Sequence, residues 1–122
     1  MVIGGGPGSG KTRLARELVR RLPDSLWLDK ALLAGRWVDR LLSECNAGVI
    51  DRDSAFYWQK VRPLEYEMLD AVAFVHLELG KTVVIDAPLA PELKDPLWVV
   101  RMRRECEARG AGLITVWVSV SP

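Results

Sequence analysis

The chain has 122 residues, 49% of them apolar and 27% charged, with 17 basic against 16 acidic side chains. That length suits one domain with one core, and that composition excludes a disordered tail. A net charge of +1 argues against a broad nucleic-acid or membrane surface, so any bound anion needs a local site.

Cys45 and Cys106 lie far apart in no metal-like spacing and read as reduced thiols. The N-terminus reaches glycines too early for a secretory leader, and no apolar run approaches the roughly 20 residues of a membrane span. A cytoplasmic protein is the expectation.

In chain order, Met1-Val2-Ile3 reads as the stub of a buried strand that a glycine-rich loop interrupts. Thr12 to Leu22 reads as a helix, with Leu14, Leu18 and Leu22 one turn apart and arginines mostly opposite. Pro23-Asp24 ends it. Leu26-Trp27-Leu28 is a second short strand. Ala31 to Glu44 has helical spacing through Leu33, Trp37, Leu41 and Leu42, and Asn46-Ala47-Gly48 breaks it. Asp51 to Ser54 caps a further helix.

Pro63 suits the first turn of a helix running to Leu79, with Leu64, Met68, Ala71, Val72, Val75 and Leu79 as its apolar face. Gly80 then supplies the stop. Thr82 to Ile85 is β-branched and carries the clearest strand signal. Ala87 to Asp95, with Pro88 and Pro91, reads as a loop. Asp95-Pro96 starts a helix that reaches Arg109, and Leu113 to Val118 is a last strand. Apolar strands alternating with helices predict an α/β fold, a mainly parallel sheet with helices on both faces.

The loop carries the chemistry. Gly5-Gly6-Pro7-Gly8-Ser9-Gly10-Lys11-Thr12 matches G-x-x-x-x-G-K-[ST] at every fixed position. Glycines let the backbone turn its N–H groups inward around an anion, and the helix start behind them adds unpaired N–H groups and a positive dipole end. Gly6, Pro7, Gly8, Ser9, Gly10, Lys11 and Thr12 are therefore the nucleotide-binding candidates. Lys11 reaches the β and γ phosphates of ATP, with GTP as the alternative, and the Thr12 hydroxyl ligates Mg²⁺. Val83-Val84-Ile85-Asp86 is an apolar strand ending in a carboxylate. In a parallel sheet Asp86 falls at the same edge as the loop, where it is the second Mg²⁺ candidate.

These segments, with Leu28-Asp29-Lys30, Asp51 to Ser54, Val61 to Tyr66 and Val116-Trp117-Val118, resemble small bacterial P-loop kinases and AAA family ATPases of the zeta-toxin, chloramphenicol-phosphotransferase and polynucleotide-kinase type. The resemblance implies a P-loop NTPase fold and ATP-dependent transfer of a phosphoryl group to a hydroxyl of a small molecule or polynucleotide end. It implies catalytic roles for Lys11, Asp29 and Asp86. Such kinases tend to read Asp-Lys-Asp after the second strand. This sequence reads Asp29-Lys30-Ala31, which leaves Asp29 as the acceptor-side carboxylate. They also continue past the Val116–Val118 strand into an arginine-bearing lid and a last strand, so the domain over residues 1–122 is expected to lack both. A nucleotide-binding switch without efficient acceptor transfer is the alternative function.

Arg62 and Tyr66 are the acceptor-binding candidates on this resemblance, with Glu65 beside them. Asp51 and Asp53 read as caps, and Arg101, Arg103 and Arg104 as a solvated face. His76 reads as structural, and the five tryptophans read mostly as core. Oligomeric state is not legible.

Overall fold

The computed structural model of the chain describes residues 1–121. Its four strands are β1 (Val2–Gly5), β2 (Ser25–Asp29), β3 (Thr82–Asp86) and β4 (Thr115–Val118). They form one parallel sheet in the order β2-β3-β1-β4. All four are short apolar runs, and both faces are covered, as a parallel sheet requires. On one face Ile3 and Val84 pack with Ala15, Leu14 and Leu18 of helix α1 (Lys11–Arg21). On the other, Val2, Val83 and Ile85 pack with Leu69 and Ala73 of helix α3 (Arg62–Glu78). Neighbouring residues thus point to opposite sides, as the pleat dictates.

Helix α2 (Lys30–Cys45) follows β2 directly and is capped by Asp29, whose side chain accepts from the amides of Ala31 and Leu32. Its buried stripe is Lys30, Ala34, Val38 and Leu42. Of the expected face, Leu41 and Leu42 pack inward, but Leu33 and Trp37 are 44% and 40% exposed. Ala34 and Val38 instead pack with Leu42, Tyr57 and Val61 in a second small core. The smaller side chains allow the close approach, and the bulkier ones stay outside.

Ser54 caps the next helical segment, its hydroxyl accepting from the Tyr57 amide at 3.1 Å. A π-helical stretch (Tyr57–Val61) then leads without a break into α3. Pro63 sits in the first turn of α3 as predicted. The expected apolar face of α3 is corrected: Leu64, Val75 and Leu79 are more than half exposed, while Glu65, Leu69 and Ala73 form the buried stripe.

After β3, the segment expected as a loop contains a short helix, α4 (Ala90–Lys94). Pro91 is compatible with it because a first-turn proline lacks only an amide that would be unpaired anyway. Helix α5 (Pro96–Glu107) follows, with the Asp95 carboxylate accepting from the Leu97 amide. Arg101, Arg103 and Arg104 are exposed on it, as expected. The tryptophan expectation is corrected, since Trp37, Trp58 and Trp117 are 40–50% exposed. Among the described residues no helix is long and apolar enough to cross a membrane.

Candidate phosphoryl-transfer site

Because the strands are parallel, β1, β2 and β3 end at one edge with Gly5, Asp29 and Asp86. The phosphate loop leaves β1 there and enters α1. Gly8 and Gly10 have φ of 71° and 96°, values that side-chain-bearing residues rarely adopt. The Ser9 amide donates to the Gly6 carbonyl at 3.2 Å, closing the turn, and the Leu14 amide returns to the Gly10 carbonyl at 3.0 Å, starting the helix. Gly5 is required for space: a Cβ there would lie 2.6 Å from both Ser9 Oγ and the Val118 carbonyl.

A cleft of about 290 Å³ opens beside this loop. Two groups of side chains line it: Lys11, Thr12 and Asp29 around Asp86, and Arg52 and Glu65 around Lys30, with Ala31 and Gly35 also in the lining. The structure thus brings Lys11, Thr12, Asp29 and Asp86 into one space. Arg62 and Tyr66 do not line it. The Arg62 guanidinium pairs with both Glu92 carboxylate oxygens, at 2.5 and 3.2 Å, and donates to the Tyr66 hydroxyl at 3.2 Å. It is also packed against the rings of Trp58 and Tyr66 at 4.5 and 4.4 Å. That set of contacts ties α3 to α4 behind the cleft.

Asp86 is 1% exposed, and among the described residues neither carboxylate oxygen has a hydrogen-bond partner. Burial pushes its pKa up and the adjacent Asp29 adds to this, while Thr12, Trp27 and Lys11 nearby act against it. A buried carboxylate left this way is costly unless a ligand completes it. Ser9 Oγ is likewise buried without a partner among the described residues. A hydroxyl and an unpaired carboxylate beside a phosphate cradle suit Mg²⁺, which commonly takes one or two protein oxygens and fills its shell with phosphate and water. Among the described residues no group of three or more His, Cys, Asp or Glu side chains could hold a metal by itself.

Asp29 uses Oδ1 for the α2 cap, at 2.9 Å from the Ala31 amide and 3.4 Å from that of Leu32. Its Oδ2 makes no hydrogen bond among the described residues.

The group around Lys30 holds residues that sequence reasoning passed over or weighted lightly. Lys30 is 8% exposed and Glu65 2% exposed. Lys30 Nζ donates to the Tyr57 hydroxyl at 2.9 Å and lies 3.4 Å from Glu65 Oε2. The Tyr57 hydroxyl donates to Glu65 Oε1 at 2.6 Å. Burial lowers the Lys30 pKa, and Glu65 opposes that shift. Burial and the Glu65 hydrogen bond together raise the Tyr57 phenol's pKa. Arg52 is closed by Asp39 at 2.5 Å and donates to the Gly35 carbonyl at 3.3 Å.

A family model described as an AAA domain matches residues 1–122. The chain belongs to this AAA domain family. The match bears out the resemblance to P-loop kinases and AAA-type ATPases, and with it a kinase- or ATPase-type function. No curated protein matches this chain significantly. Among solved structures it is similar to a chain of a Pnkp1/Rnl/Hen1 complex, at 18% identity and a TM-score of 0.60 over 98% of this chain and 35% of that one. A chain of the Pnkp1/Rnl/Hen1 RNA repair complex is similar at 19% identity and a TM-score of 0.59, over 98% and 32%. At these identities the likeness is one of fold. The AAA domain spans about a third of the length of those chains.

Proposed function

We propose that the AAA domain transfers the γ-phosphoryl group of ATP to a hydroxyl of an acceptor held in the same cleft. The observation that carries this reading is the shared space: the phosphate loop with Lys11 and Thr12, the unpaired Asp86 carboxylate and the open oxygen of Asp29 all line one cleft.

Loop amides and Lys11 bind the phosphates and stabilise charge on the group in transit. Thr12 and Asp86 would hold Mg²⁺, which supplies neutralisation of phosphate charge when bound. Asp29 Oδ2 accepts the acceptor's hydroxyl proton as that oxygen bonds to the γ-phosphorus. The bond from phosphorus to the β–γ bridging oxygen breaks, and the nucleoside diphosphate leaves with the electron pair.

The test is the Asp29→Asn variant. Asparagine keeps the cap, so fold and nucleotide affinity persist, while acceptor-dependent transfer falls about 10²–10⁴-fold, the usual contribution of a general base. Transfer unchanged in this variant would remove Asp29 from the reaction.

The second reading is a nucleotide-operated switch. It is favoured by Asp29's engagement as a helix cap and by Ala31, which leaves no second carboxylate beside it. A kinase consumes ATP faster when its acceptor is present; a switch does not, and instead changes partner affinity with nucleotide.

A further inference from the structure

The part of the cleft around Lys30 is built from charged groups that already balance one another. On the cationic side stand Lys30 and Arg52; on the anionic side stand Asp29 and Glu65. Arg52 is engaged by Asp39 and by the Gly35 carbonyl. Lys30 is engaged by Glu65 and by the Tyr57 hydroxyl, and lies within 5.6 Å of the Tyr57 and Tyr66 ring centres. No uncompensated cation is left here among the described residues, so a second phosphate or a carboxylate on the acceptor would meet Asp29 and Glu65 without a free positive partner. Like charges brought together at that range repel, and a desolvated, unpaired anion is costly.

The same groups still have hydrogen-bonding capacity. An ammonium has three donors, and Lys30 has one on the tyrosine hydroxyl and one directed at Glu65. A carboxylate has about four acceptor sites, and Glu65 uses one for Tyr57 and one toward Lys30. A donor and an acceptor therefore stand side by side, 3.4 Å apart, in the wall of the cleft. Ala31 and Gly35, one turn apart on α2, also line the cleft and add almost no side-chain bulk to it.

We propose that this part of the cleft is the acceptor subsite and that it takes an uncharged acceptor with vicinal hydroxyls, a sugar or the ribose of a nucleoside. One hydroxyl donates to Glu65 while its neighbour accepts from Lys30. Held that way, a further hydroxyl on the acceptor is directed toward Asp29 and the γ-phosphate. Its oxygen forms the new bond to phosphorus, its proton passes to Asp29, and the nucleoside diphosphate departs. This rests on the phosphotransfer reading above.

The experiment follows ATP consumption by the wild-type chain after MgATP binding has been measured on the same sample by calorimetry. The probes are ribose, glucose, N-acetylglucosamine and adenosine. Each is set against its phosphorylated counterpart, and a 5′-hydroxyl oligonucleotide forms a third arm. The expected result is stimulation by at least one neutral polyol and about a tenth or less of that stimulation, or none, from the phosphorylated form. Glu65→Gln keeps the Tyr57 hydrogen bond and raises the KM for that polyol about tenfold or more, with a smaller change in kcat, because a charged acceptor atom is lost.

Preference for the phosphorylated forms or for the oligonucleotide overturns the proposal. So does silence from every neutral probe in a chain that binds MgATP. A folded chain that binds no MgATP overturns the phosphotransfer reading itself, and this proposal with it.

Discussion

Asp29 and Asp86 are register partners on adjacent parallel strands, β2 and β3, each the last residue of its strand. Two carboxylates so placed are held close by the sheet itself, and their environments differ. Asp29 is partly exposed and hydrogen-bonded to two amides, whereas Asp86 is buried with both oxygens unpaired among the described residues. The proposed division of labour follows from that difference: the buried one faces a metal-bound phosphate, the accessible one an acceptor hydroxyl.

The free protein bears a cost at Asp86. Replacing it with asparagine removes a buried charge, so the Asp86→Asn variant is expected to be more stable than wild type without nucleotide or Mg²⁺, by roughly 1 kcal/mol. The same change makes nucleotide affinity insensitive to Mg²⁺. Thermal denaturation with and without the metal, alongside binding titrations, checks both halves. A variant less stable than wild type in the absence of ligands would contradict the account.

Gly5 tests the loop geometrically. A methyl group there meets a side-chain oxygen and a backbone carbonyl, each 2.6 Å away. The loop has to shift, and overpacking of this kind costs about 1–3 kcal/mol. The Gly5→Ala variant should therefore lose both stability and nucleotide binding, whereas Gly6→Ala, with open space around its Cβ position, should keep its fold. Denaturant titrations of the two variants read the difference.

Much of this site was legible because its signals are local. The glycine spacing of the phosphate loop, the β-branched run ending in Asp86 and the Asp95-Pro96 helix start each state their geometry within a few residues. Lys30 and Glu65 were not legible, since their pairing joins the start of α2 to α3 across 35 positions of sequence. One clue was present: Glu65 shares an i, i+4, i+8 stripe with Leu69 and Ala73, and a carboxylate on a buried stripe needs a partner. Leu33 and Trp37 misled for the opposite reason, because bulk suggested burial while the close contact went to Ala34 and Val38.

Asp70 on α3 gives a pH signature independent of the cleft. Burial pushes its pKa up to about 6, with Arg101 opposing and Glu105 and Glu67 adding to the shift. A carboxyl with a folded-state pKa above its unfolded value holds protons in the folded state that the unfolded chain releases. Its penalty is absent below about pH 4, grows between about pH 4 and 6, and is complete above that. Asp70→Asn should therefore raise stability at pH 8, by on the order of 1 kcal/mol after allowance for partial exposure, and change little at pH 4. Thermal unfolding of both proteins across that range measures the predicted divergence.

Arg62, expected from sequence to face an acceptor, is instead held between Glu92, Trp58 and Tyr66. Breaking this part-buried pair leaves Glu92 without its charged donor and Trp58 and Tyr66 without their packing partner, so Arg62→Ala should cost about 1–3 kcal/mol. Because Glu92→Ala breaks the same pair, the double variant should cost less than the sum of the two. Additive losses in a double-mutant cycle would argue that the pair does not act as a unit.

The most direct measurement is calorimetric titration of MgATP, and of MgGTP beside it, into the wild-type chain and Lys11→Ala. The account predicts about micromolar binding by the wild type, weakened about 100-fold or more when the loop lysine is removed from an otherwise folded protein. Binding that survives Lys11→Ala unchanged, or a folded wild-type chain that binds neither nucleotide, would contradict it.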